Sequence, residues 1–135
     1  MYISKKDREM VKSKYGGKCA YTGKPLAEDW QVDHVEPVRR NWWMNNSAML
    51  KENHNADNML PTHKLINHYK HSMGLEEFRD FMMNFHIRIS KLPKNPYAPA
   101  SIRRKDYMLR LAGLFDITPD KPFTGKFWFE TINNY

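Results

Sequence analysis

The stretch Val32-Asp33-His34-Val35-Glu36-Pro37 decides how this chain is read. Trp30 to Val35 has the apolar, β-branched character of a short strand, and Pro37 stops it. An Asp beside a His at the end of such a strand sets a hard oxygen ligand next to a group that titrates near neutrality. Downstream, Asn58 and the run Asn67-His68-Tyr69-Lys70 add further polar donors. Together these are residue types suited to metal-assisted hydrolysis of a phosphate ester.

Working outward, Ser4 to about Tyr15 reads as a helix. Ser4 is its cap, Asp7 stands three residues on, and Gly16-Gly17 end it. Lys18 to Thr22 is a strand candidate, turned by Gly23-Lys24-Pro25 and forming a hairpin with the strand that ends at Val35. Residues 38 to 57 show no sustained period and read as a loop, with one helical turn around Ala48 to Lys51. Pro61 opens a helix that runs to about Met73, stopped by Gly74. Leu75 to Lys91 is the most regular helix, with Leu75, Phe78, Phe81, Met82, Phe85 and Ile89 on one face. Those Phe and Met residues read as core. Pro93, Pro96 and Pro99 form a stiff linker, Ser101 to Phe115 is another helix, and Phe123 to Tyr135 is an aromatic strand or extended arm. The expected class is α+β, mainly helical by content.

With 135 residues the chain is read as a single domain, 1–135. No apolar run approaches a membrane span and no signal peptide is visible, so a cytoplasmic protein with no membrane partner is expected. One cysteine, Cys19, excludes an internal disulfide framework. The 22 Lys and Arg against 15 Asp and Glu give a net charge of +7. That balance suits a polyanionic partner. The charge clusters at Lys5-Lys6, Lys12, Lys14 and Lys18, at Arg39-Arg40 beside Trp42-Trp43, and at Arg103-Arg104-Lys105, which sets a nucleic-acid partner level with a merely solvated face.

The ordered set of motifs resembles the HNH endonucleases, nucleases with a ββα-metal (His-Me finger) core. Val-Asp-His-Val-Glu-Pro matches their first motif, Asn58-Met59-Leu60-Pro61 their central segment, and Asn67-His68-Tyr69-Lys70 their closing Asn-x-x-Lys. The likeness covers about residues 15–73, leaving a helical C-terminal extension at about 75–135. It implies a metal-dependent DNA endonuclease of the small phage or mobile-element type, hydrolysing phosphodiester bonds. In that reading His34 is the general base and Asn58 the scaffold residue that fixes it. Asp33 and Asn67 are metal ligands, and Lys70 meets a substrate phosphate. His71, four residues after Asn67 on the same helical face, is a candidate third ligand, and His63 a weaker one. The implied cofactor is one divalent ion, Mg²⁺ or Mn²⁺, with Ni²⁺ and Co²⁺ as alternatives, and with Mn²⁺, Co²⁺ or Ni²⁺ better activators than Mg²⁺ if His71 ligates.

Two departures stand out. Many relatives carry a structural zinc bound by two Cys-x-x-Cys pairs, whereas the matching positions here read Cys19 with Thr22 and His63 with Ile66. No structural zinc is therefore expected. The interval from His34 to Asn58 is also longer than usual and carries Arg39, Arg40, Trp42 and Trp43. Arginine with aromatic residues suits phosphate contact and base stacking, while burial of the tryptophans as a plug over the hairpin fits equally. One such site cuts one strand, so double-strand cleavage needs a homodimer or two nicks. The alternatives are a non-catalytic nucleic-acid-binding module of the same fold, and a nuclease subunit of a phage packaging or restriction assembly.

Overall fold

The computed structural model describes residues 3–36, 39–40, 48–49 and 56–132. Ser4 leads into the first helix. Its hydroxyl accepts the Asp7 amide hydrogen at 3.1 Å and caps α1 (Lys5–Ser13). Gly16 and Gly17, at φ 62° and 82°, then carry the chain away in a conformation that other residues resist. The turn at 19–25 follows, closed by the Cys19 amide on the Lys24 carbonyl at 2.8 Å. The strand expected at Lys18 to Thr22 is replaced by this turn, with one isolated bridge between Lys18 and Pro25.

β1 (Gln31–His34) pairs antiparallel with a strand that follows it in sequence. The hairpin expected between residues 18 and 35 is therefore not the pairing found. Arg39–Arg40 forms β2 and Ala48–Met49 forms β3, an antiparallel pair of their own. The helical turn expected at Ala48 is a strand there, while Lys51 lies outside the described residues. A 3-10 turn at Ala56–Asn58 leads into β4 (Met59–Thr62), the partner of β1, with His34 opposite Met59.

Pro61 thus sits inside a strand and not at the start of a helix. Its carbonyl accepts the Ala20 amide hydrogen at 2.8 Å, on the side away from β1. A strand residue presents its N–H and C=O on the same side, so the missing N–H of Pro61 costs the β1–β4 ladder nothing. The helix begins three residues later as α2 (Lys64–Lys70) and closes at His71, whose φ is 51°.

α3 (Leu75–Met83) and α4 (Phe85–Ser90) divide the long helix expected over Leu75 to Lys91, with the break at Asn84. Phe78, Met82, Phe85 and Ile89 are buried, as that periodicity requires, while Leu75 and Phe81 are half-buried. α5 (Pro99–Leu114) starts with Pro99 in its first turn, where a missing N–H is harmless. α6 (Trp128–Ile132) replaces the strand or arm expected in the tail.

The chain divides into two compact units, Met1–Phe78 and Arg79–Tyr135, with the boundary inside α3. In the first, Val11 of α1, Trp30 and Met59 of β4 form a buried cluster, with Leu26 and Val32 against it. The Arg8 guanidinium lies 4.1 Å over the Trp30 ring. In the second, Phe115, Phe123 and Phe127 pack at centroid distances of 5.0 to 6.1 Å. The class is α+β. Among the described residues, no helix is long and apolar enough to cross a membrane.

Candidate functional site

β1 alternates, so Asp33 and His34 leave it on opposite faces. Asp33 is turned inward and is 2 % exposed, while His34 is half-buried. α2 packs on the face carrying Gln31 and Asp33, and its side chains reach both. The Asn67 amide nitrogen donates to Gln31 Oε1 at 2.7 Å. Lys70 Nζ lies 3.4 Å from Asp33 Oδ1, 2.9 Å from the His34 carbonyl oxygen and 3.1 Å from that of Val35. The other carboxylate oxygen, Oδ2, accepts the Tyr21 hydroxyl hydrogen.

Burial pushes the Asp33 carboxyl above its ordinary range, and the Lys70 charge and Tyr21 hydroxyl oppose that push without cancelling it. Burial also holds the Tyr21 phenol well above its ordinary value, reinforced by the neighbouring carboxylate. The Tyr21 ring in turn meets Phe78 edge-on, at a centroid distance of 5.6 Å. The Asp33 cluster is thus walled by aromatic rings and the α2–β1 seam.

Beyond His34 the chain bends, and Asn58 holds the bend. The Asn58 carbonyl accepts the Val35 amide hydrogen at 2.9 Å. Its side-chain Oδ1 accepts the Glu36 amide hydrogen at 2.9 Å, and its Nδ2 donates to the Glu36 carbonyl at 2.8 Å. The side chain therefore continues the β1–β4 ladder one pair further than backbone alone would. Glu36 reaches onward, its Oε1 accepting the Leu75 amide hydrogen at 3.3 Å at the start of α3. A carboxylate there also suits the helix dipole. Gly74 lies close by: a Cβ on it would stand 2.9 Å from Glu36 Oε2, so the carboxylate would have to shift.

The remaining candidates scatter. His71 is exposed beyond the end of α2, its ring 5.2 Å from that of His68. His63 belongs to another corner: its Nε2 lies 3.1 Å from the Pro25 carbonyl, and it neighbours Cys19. Burial raises the Cys19 thiol, but the bonds and charge of His63 outweigh it and bring the thiol down to about 7. The same pairing raises His63. Cys19 and Ile66 are both buried, and Cys19 Sγ lies 3.7 Å from Thr62 Oγ1. The side chains of Arg39, Arg40, Trp42 and Trp43 lie outside the described residues.

A divalent ion does not fit Asp33 as it stands, because both carboxylate oxygens are engaged and the group is shielded from solvent. Among the described residues, no group of three or more His, Cys, Asp or Glu side chains converges where a metal could sit. Lys70, expected at a substrate phosphate, is instead fully buried. The sequence reading missed Tyr21 as the partner of Asp33, Glu36 as the link to α3, and the Cys19–His63 pair. For Tyr21 no spacing signal existed. For Cys19 and His63 the signal is present, since both stand at zinc-ribbon positions in the sequence.

No family model matches the chain, and no curated relative or solved structure is significantly similar to it.

Proposed function

We propose that this chain is a DNA endonuclease of the HNH kind, hydrolysing phosphodiester bonds, with His34 as the base that takes a proton from the attacking water. The observation that carries the reading is the three-bond clamp of Asn58 on Val35 and Glu36, immediately after His34. A general base must be held within hydrogen-bond reach of its proton, and this clamp fixes the backbone on which the imidazole stands. The order of β1, its antiparallel partner β4 and then α2 supports a ββα-metal core. The net charge of +7 suits a DNA partner. The divalent ion of that family has no open site at Asp33, so the roles assigned here belong to the chain's own groups. His34 moves the proton, Asn58 orients, and basic side chains hold the backbone of the nucleic acid.

Asp33, enclosed by Tyr21 and Lys70, favours a second reading, in which the chain binds nucleic acid without cutting it. Conversion of supercoiled plasmid to nicked circles by the purified chain, with and without a divalent salt, separates the two. Nicking that is lost in His34→Ala supports the nuclease. Retardation of the plasmid without nicking supports the binding module.

A further inference from the structure

We propose that Lys70 is a positioning residue that fixes the end of β1 beneath His34, and that it makes no contact with a nucleic-acid phosphate. Its catalytic consequence rests on the nuclease reading above. An ammonium has three N–H donors and no acceptor. Lys70 Nζ has three acceptors: the His34 carbonyl at 2.9 Å, the Val35 carbonyl at 3.1 Å and Asp33 Oδ1 at 3.4 Å. The side chain is 0 % exposed. Neither a donor nor any surface remains for a phosphate.

The two carbonyls show what the ammonium does. They belong to successive residues, which in a regular strand point to opposite edges. Both turn to Lys70 because β1 ends at His34 and the chain bends at Val35. Lys70 gathers that bend from the α2 side, and Asn58 grips Val35 and Glu36 from the 3-10 turn. His34 is thus carried on a backbone held from two elements at once. Asp33 has a place in the same device. A buried ammonium without a counter-charge is strongly unfavourable, and Asp33, one residue before His34, supplies that charge, itself secured by Tyr21.

The test uses the full chain carrying Lys70→Met, and a second variant, Asp33→Asn/Lys70→Met, which removes both charges together so that no lone buried ion unfolds the protein. Three quantities are measured: the salt dependence of duplex oligonucleotide binding in EDTA, kcat and KM of plasmid nicking, and the NMR signals of the His34 ring. The expected result is an unchanged salt slope, displaced His34 ring signals, and a kcat lowered about 10- to 100-fold at unchanged KM, the effect of a misplaced reacting group. A salt slope smaller by about 0.9, the loss of one phosphate contact, would overturn the proposal. Unmoved His34 signals in a folded variant would overturn it too. If the wild-type chain cuts no DNA, the nuclease reading fails by itself, and the His34 signals still decide the placement of Lys70.

Discussion

Lys70 Nζ stands 2.9 Å from the carbonyl oxygen of His34, joining the last turn of α2 to the last residue of β1. The candidate base is therefore tied through its backbone, and its imidazole is left to the opposite face from Asp33. Sequence adjacency of Asp33 and His34 suggested shared chemistry. Strand alternation divides them instead, one into the buried seam and one to the opposite face, where it is half-buried.

Tyr21→Phe tests how much the buried carboxylate depends on its partners. The substitution keeps the ring against Phe78 and removes only the hydroxyl that serves Asp33 Oδ2. A hydrogen bond to a charged group is worth about 1.5–3 kcal/mol. Urea unfolding should show a loss of that size. A loss under about 0.5 kcal/mol would mean that Asp33 is neutral or hydrated in solution.

Asn58 separates into a donor and an acceptor. Asn58→Asp keeps an oxygen for the Glu36 amide hydrogen but loses the donor to the Glu36 carbonyl, while Asn58→Ala loses both. At about 0.5–1.5 kcal/mol per bond, thermal unfolding should place both variants below wild type. Nicking activity should fall in both as well, since each lost bond loosens the backbone beneath His34. Equal stability of all three would remove Asn58 from the scaffold.

Much of the fold was legible where a signal had one meaning. Ser4 with Asp7 and the Gly16-Gly17 pair marked α1, and the spacing of Phe78, Met82, Phe85 and Ile89 marked a buried helical face. Pro61 misled because proline suits both a helical first turn and a strand edge whose N–H faces away from the ladder. Lys18 to Thr22 misled because a short apolar run carries no register, and β1 found its partner in β4 instead. At the site, the sequence named Asp33, His34, Asn58, Asn67 and Lys70. It could not tell that Lys70 points inward, because a lysine reads as polar until its acceptors are seen.

Glu130 gives a pH test in the second unit. Both its oxygens meet the Arg79 guanidinium at 2.7 Å, and that fork holds its carboxyl below the ordinary value, against a smaller upward push from burial. A carboxyl with a lowered folded pKa adds stability that is complete above its unfolded value of about 4.5 and lost as pH falls through the folded value. Glu130→Gln should therefore cost about 1 kcal/mol at pH 7, with the gap closing below pH 4.5. A gap that stays constant down to pH 3 would show that the fork contributes shape and no charge.

Arg103 and Arg104 of α5 are exposed, and among the described residues their side chains make no hydrogen bond or ion pair, whereas Lys105 donates to the Lys94 carbonyl at 2.7 Å. Arg103→Ala/Arg104→Ala should weaken DNA binding equally across sequences. It should also reduce the slope of log affinity against log salt by up to about 2. Stability should stay within about 0.5 kcal/mol of wild type. An unchanged slope would place the nucleic-acid surface elsewhere.

The most direct measurement is the nicking rate of supercoiled plasmid by the purified wild-type chain and by His34→Ala, with divalent salt present and a circular dichroism spectrum of each protein. The account predicts nicking by the wild type and a rate lower by about 10²–10⁴ in a folded His34→Ala variant. Equal rates in the two proteins, or no nicking by the wild type with any of Mg²⁺, Mn²⁺, Co²⁺ or Ni²⁺, would contradict it.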